Sequence, residues 1–503
     1  MKLFTKRSSI ILLLILSAVF LKELIFIFLI PPWQNHDEPA HFAYTQYLVE
    51  EKKLPVYQGA FTDATVLSFS QEYAESEIRT EATRLMKGSN KQYRLVHQLF
   101  NNPSIASGDI ARQLSGLDRH PLNISTAPAG YLNLYYQLPK TPEYKNSAAV
   151  YQPLYYAAMA IPYSVFYHSD ILTRMYAMRI FSSLIYLATI WLCYLLAKLI
   201  TKNTKFSLTL CLLTGLLPVF SHLANGINND ILLIFLSTLS LYWCVRLIQN
   251  FRWREIIFLG ITLGLGLLTK PQFIFMPLIA VIPFIYHFIK NTDIRKKVAL
   301  GLVALILISL VLCAWWFVWS YQQYGTFFMS SSGENTAALA TPASFSQVWP
   351  QYFQRWLYGF MSLNFIFGFA TEMGLPIYIM GAVITAIILS CFGLLILVRQ
   401  RWKLIAREKK IIAISLIISA LLLELIFLLI FSKSLFLTGQ ARFPTDGRYY
   451  LPLIFVFSFF FLTGWRYLVA KKFINWAYLL ICLIAIAINY IAIFQVIIPR
   501  FYL

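Results

Sequence analysis

The chain has 503 residues, 58% of them hydrophobic and 13% charged, with a mean hydropathy of +0.63 and a formal net charge of +20. Soluble domains of this length do not carry long apolar runs along most of the chain, so a soluble enzyme is excluded. The basic residues lie in short clusters between apolar segments, the pattern of cytoplasmic loops beside anionic lipid, which leaves no nucleic-acid partner.

In chain order, Lys2, Lys6 and Arg7 precede an apolar run over 10–30. That run is long enough to span and has no small-residue cleavage site, so it reads as an uncleaved first span, 1–30. Just beyond it, "NHDEPAHFAY" sets Asp37 and Glu38 between His36 and His41. A polar stretch follows to about residue 150. With the segment 151–167, broken by Pro153 and Pro162, it makes a large first extracytoplasmic loop, 31–177, with juxtamembrane helices. If 151–167 crossed fully, every later basic cluster would fall on the wrong side; lying along the outer surface, it leaves them all cytoplasmic.

The remaining spans are expected at 178–199, 206–224, 231–249, 256–269, 273–289, 298–319, 376–398, 411–431, 449–468 and 476–498. They group as a bundle over 178–319, a second outer loop over 320–375 and a C-terminal bundle over 376–503. With the first span this is an all-α polytopic membrane protein of about eleven transmembrane helices. The N-terminus is cytoplasmic, and the chain is placed in the cell membrane. The six cysteines all fall inside apolar segments, which indicates neither a disulfide framework nor a zinc cluster. No tandem repeat of fixed period is evident.

This topology gathers the polar residues at the other helix ends on the outer side. They are Asp37 and Glu38, then "HLANGINND" ending at Asp230, then "LTKPQ" around Lys270, then "GQARFPTDGRYYLP" with Arg442, Arg448 and Tyr449. Each has a plain reading beside a functional one. The acidic pair terminates a helix in solvent or forms a site, and Asp230 caps a helix or binds a ligand. Lys270 snorkels at a proline bend or is held for function, since an unpaired charge there costs a few kcal/mol. Arg442 and Arg448 are surface basics or an anion site on the side where basic residues are disfavoured. His36 and His41 are five apart with Pro39 between, unlike the i, i+4 zincin spacing, so a divalent cation stays an open question. Lys22–Glu23 in the first span and Glu424 in a late one have no partner that the sequence reveals.

The motif "DEPAHFAY" after the first span resembles the first outer loop of GT-C-fold glycosyltransferases. The likeness is to protein O-mannosyltransferase and lipid A aminoarabinose transferase relatives, and to a poorly characterised bacterial membrane family. In the same order, "QPLYY" is similar to the proline–tyrosine motif after that loop, and "NNDILLIF" to the Asp that opens a later span. "GLGLLTKPQFIFMP" resembles the Thr-Lys motif, and "DGRYYLPLI" the late Arg-Tyr-Pro motif. Gln152 stands where many relatives carry His, and no soluble C-terminal domain is evident, which leaves acceptor recognition to the loops.

The resemblance implies a GT-C-like fold and transfer of a sugar from a polyprenyl-phosphate donor to an acceptor on the outer face. Asp37 is then the general base, and Glu38 orients the acceptor or the base. Lys270, Arg442 and Arg448 meet the carrier phosphate, and Tyr155 and Tyr156 line the carrier groove. His36, His41, Gln152, Asp230 and Tyr449 complete the substrate-binding set. An O-antigen ligase or polymerase and a lipid-linked glycan transporter are the competing classes.

Overall fold

The computed structural model describes residues 6–30, 35, 37–50, 52–56, 147–169, 171–327, 349–350, 352–353, 375–438 and 447–501. His36, Arg442 and most of the two long polar loops lie outside the described residues. Among those described, all regular structure is helical.

The first helix, α1 (Lys6–Leu29), is followed by α2 (Glu38–Glu50) and, after the long loop, α3 (Leu154–Val165). A core of α4 (Ile171–Thr201), α5 (Thr204–Gly215), α6 (Pro218–Ala224), α7 (Asp230–Gln249) and α8 (Trp253–Leu267) follows. Then come α9 (Phe275–Ala280), α10 (Ile282–Lys290) and α11 (Arg295–Tyr324), and lastly α12 (Ile377–Arg401), α13 (Arg407–Thr438), α14 (Ile454–Leu468) and α15 (Ile474–Ile491). The apolar faces of α10, α11, α12 and α15 stay open, as lipid-facing helices require.

Nine helices among the described residues are long and apolar enough to cross a membrane, and ten if α5 and α6 count as one bent span. Two of the eleven expected spans fall outside that tally by their shape. The segment 206–224 breaks by 63° because Pro218 has no N–H to continue the helix and holds Leu217 extended at ψ 118°. The segment 256–269 forms the 15-residue α8, which rises only about 22 Å. The 12-residue α3 rises about 18 Å, well short of a hydrocarbon core of about 30 Å. It packs against α2 and α4.

The bend in α5–α6 explains Lys22 and Glu23. The carbonyl of Gly215, at the broken end of α5, accepts from Lys22 Nζ (2.6 Å) and from the Tyr186 hydroxyl (2.6 Å). Lys22 also pairs with Glu23 (2.8 Å). A buried charge pair thus satisfies backbone that a membrane interior would leave unsolvated. Elsewhere small residues permit close helix approach. A Cβ on Gly264 of α8 would meet Leu312 Cβ at 2.8 Å and the Ser309 carbonyl at 2.9 Å on α11. One on Gly393 of α12 would meet the Gly464 carbonyl of α14 at 1.9 Å.

Helix direction fixes which residues share an end of the bundle. α7 begins at Asp230 and carries Arg246 in its last turn, where Arg246 pairs with Glu255 at the start of α8 (2.8 Å). α8 then returns to Lys270. Asp230 and Lys270 are therefore at one end and the Arg246–Glu255 pair at the other.

A candidate active site at one end of the bundle

Three chain segments meet at Asp230. As the first residue of α7 it lies where the helix dipole favours an anion, and its backbone N–H donates to Asn228 Oδ1 (2.9 Å). Lys270 sits between α8 and the turn Pro271–Ile274, and its ammonium donates to Asp230 Oδ1. The rings of Tyr151 and Tyr449 flank that ammonium at 5.2 and 5.4 Å. Burial works against the charge on Lys270, but Asp230, with Tyr151 and Tyr449, outweighs it and holds the amine above its ordinary range. Lys270 is thus a paired, buried cation and does not snorkel to water.

Arg448 comes from the turn Gly447–Leu453 and reaches two carboxylates. Its Nη2 lies 3.2 Å from Asp37 Oδ2, and its Nη1 lies 4.0 Å from Asp230 Oδ2. The guanidinium rests over Tyr449, 5.0 Å from the ring centroid, and Nη2 also donates to the Tyr449 hydroxyl (3.2 Å). Gln272 Nε2 donates to the Tyr449 carbonyl (2.8 Å), which ties this turn to the one bearing Lys270. The Asp37 side chain is 36% exposed, whereas those of Arg448 and Asp230 are 11% and 2%. Among the described residues, two carboxylates and two cations, formally neutral together, form a rim with one accessible carboxylate.

Asp37 and Glu38 are adjacent but face opposite ways. Asp37 takes φ 55°, a conformation Asp tolerates better than most residues, and Glu38 begins α2. The Glu38 carboxylate is wholly buried against Arg179 of α4, with Nε–Oε1 at 2.7 Å and Nη2–Oε2 at 2.6 Å. Arg179 Nη1 also donates to the carbonyls of Ile27 (3.0 Å) and Ile30 (2.8 Å) at the end of α1. Glu38 further accepts from the N–H of Ile227 (3.3 Å). This clasp joins α1, α2, α4 and the loop before α7, and the Glu38 carboxylate within it is fully buried. Sequence reasoning passed over Arg179. The available signal was a charge inside an apolar run, "MYAMRIF", where a paired or functional role is the default.

Behind the rim lies a packed aromatic layer. His41 Nδ1 and the Tyr156 hydroxyl are 2.9 Å apart, and the His41 ring stacks with Tyr151 and Tyr156. Burial is the main cause that pulls the His41 pKa down to about 3, so the ring is neutral at physiological pH. Tyr156 stacks on Tyr44 with centroids 3.6 Å apart, and the Tyr155 hydroxyl meets Ser182 (3.2 Å). Both tyrosines are fully buried, so they do not line an open groove and instead hold α3 against α2 and α4. Gln152 is buried too, and its Oε1 has no hydrogen-bond partner among the described residues. The Leu154 N–H donates to the Leu268 carbonyl (3.0 Å), which fixes α3 to the Lys270 turn. The structure therefore brings together Asp37, Asp230, Lys270, Arg448 and Tyr449, and sets His41, Gln152, Tyr155 and Tyr156 behind them. Among the described residues no group of three or more His, Cys, Asp or Glu could hold a metal ion.

The sequence model described as "Predicted membrane protein (DUF2142)" matches residues 20–457. The chain belongs to this family. It is a multi-pass membrane protein. No curated relative matches the chain. Among solved structures it is similar to the apo oligosaccharyltransferase of Archaeoglobus fulgidus, with a TM-score of 0.45 and 13% identity, covering 98% of this chain and 56% of that one. It is also similar to ArnT of Cupriavidus metallidurans bound to undecaprenyl phosphate, with a TM-score of 0.35 and 15% identity, covering 65% and 51%. A third is the A. fulgidus oligosaccharyltransferase AglB with an inhibitory peptide and a dolichol-phosphate, at a TM-score of 0.36 and 13% identity, covering 69% and 48%. The chain spans about half of their length, and no residue role follows from so loose a fit.

Proposed function

We propose that this DUF2142 member is a membrane glycosyltransferase that moves a sugar from a polyprenyl-phosphate carrier to an acceptor on the outer face of the membrane. The observation that carries the reading is the rim itself: Arg448 and Lys270 beside the accessible carboxylate of Asp37. An acceptor hydroxyl is a poor nucleophile, so a carboxylate takes its proton as the oxygen bonds to the anomeric carbon. The bond from that carbon to the phosphate oxygen breaks with its electron pair, and the carrier phosphate leaves with added negative charge. Arg448 and Lys270 stabilise that charge in a partly dry setting where fixed cations act strongly. Asp37 is the base, while Glu38, sealed by Arg179, positions it through the backbone. Neutral His41 supports the wall and contributes no charge to the phosphate.

The charges lie at helix ends, and a transporter would be expected to carry them nearer mid-span. That favours surface chemistry over translocation. The basic clusters at the other end of the bundle, on the side the charge rule makes cytoplasmic, support an outward-facing rim.

The test uses the full chain in nanodiscs with a panel of radiolabelled polyprenyl-phosphate sugars, reading free polyprenyl phosphate. The reading expects release from at least one donor, with carrier binding weakened by roughly 2–5 kcal/mol in Lys270→Ala and Arg448→Ala. Equal release by wild type and both variants would remove the rim from the reaction. Absence of release together with absence of undecaprenyl phosphate binding would overturn the reading as a whole.

A further inference from the structure

We propose that the Asp37–Arg448 ion pair is a resting-state latch that the carrier phosphate opens, so that donor binding releases the base. The inference rests on the reading of the rim as the carrier-phosphate site. In the resting rim both cations are already met by carboxylates: Lys270 by Asp230, and Arg448 by Asp37 at 3.2 Å and Asp230 at 4.0 Å. Among the described residues the rim carries no surplus positive charge, so an entering phosphate gains a full cation from them only when one carboxylate lets go.

The two carboxylates differ sharply in how readily they can do so. Asp230 is buried, is held by Lys270, and sits at the start of α7, where the helix favours its charge. Releasing it would strand a charge out of water. Asp37 is 36% exposed and can exchange its contact with Arg448 for water at little cost. Its backbone cannot drift, because the next residue, Glu38, is clasped by Arg179, so only the side chain moves. A phosphate oxygen on Arg448 Nη2 therefore replaces the Asp37 carboxylate and leaves it beside the leaving group. A carboxylate freed from a guanidinium is also a better base. Without donor the base stays occupied, which guards against idle chemistry; with donor it is freed at the place of attack.

This gives a result opposite to the one expected if Asp37 helps to hold the donor. Undecaprenyl phosphate binding is measured in nanodiscs for the full-length wild type, Asp37→Asn and Arg448→Ala, with thermal unfolding recorded for each. The latch predicts that Asp37→Asn binds the carrier on the order of three- to tenfold more tightly than wild type. Arg448→Ala should bind at least about thirtyfold more weakly. If Asp37→Asn does not fold, Asp37→Ser gives the same readout. A second measurement follows affinity with pH. Wild type and Asp37→Asn should converge as acid removes the Asp37 charge, with Arg448, Lys270, Asp230, His41, Tyr151 and Tyr449 as the other titratable or charged groups at the rim among the described residues. Equal or weaker binding by Asp37→Asn, with Arg448→Ala still impaired, overturns the latch and leaves the phosphate site standing. Failure of wild type to bind the carrier overturns both.

Discussion

Two neighbouring residues make the same kind of contact, a carboxylate on a guanidinium, with different consequences. Glu38 and Arg179 form two bonds of 2.6–2.7 Å with no exposure on either side chain. Asp37 and Arg448 form one contact of 3.2 Å with the carboxylate 36% exposed. The first pair ties four chain segments together. The second sits where a ligand can compete for it. Geometry and burial, and not residue type, separate a charge that builds the fold from one available for chemistry.

The largest expected effect breaks the sealed pair. Arg179→Met strands Glu38 without its partner and should cost about 3–5 kcal/mol in chemical unfolding in detergent. Adding Glu38→Gln should recover a large part of that loss, because no uncompensated charge remains. A loss below about 1 kcal/mol would mean that the clasp is not structural. Next, Asp37→Asn should lower sugar transfer at least about a hundredfold. Its unfolding free energy should shift by less than about 1 kcal/mol, since the pair is partly exposed. Loss of stability and activity together would erase the distinction between the two pairs.

A smaller effect locates the boundary between the sealed layer and the rim. The folded-state pKa of His41 is pulled down to about 3 from 6.5. Between those values the unfolded chain takes up a proton that the folded chain refuses, so stability is lost as pH falls through this window. At pH 4.5 the loss relative to pH 7 should be on the order of 2 kcal/mol, and His41→Gln should remove most of that dependence. An unchanged slope in His41→Gln would assign the acid sensitivity to other groups.

Much of this was legible in the chain and some was not. Hydropathy placed the long helices, and the alternation of basic clusters set Asp37, Asp230, Lys270 and Arg448 at one end, because each sits where an apolar run begins or ends. Their pairing was hidden, since contacts across 40 residues (Lys270–Asp230) or 411 (Arg448–Asp37) leave no local pattern. The α5–α6 break was foreshadowed by Pro218, but an apolar window averages over it. That Glu38, expected to orient the acceptor or the base, is paired with Arg179 was hidden, because Arg179 lies 141 residues away inside an apolar helix. Tyr155 and Tyr156 looked interfacial by type, while the packing of α3 on α2 and α4 buries them.

The central claim, that this rim receives a carrier phosphate, is tested most directly by a structure of the full chain with undecaprenyl phosphate. The account predicts phosphate oxygens within hydrogen-bond reach of both Arg448 and Lys270, with the apolar tail between helices and Asp37 parted from Arg448. A phosphate bound at the opposite end of the bundle, beside Arg246 and Glu255, with the Asp37–Arg448 contact intact, would contradict it.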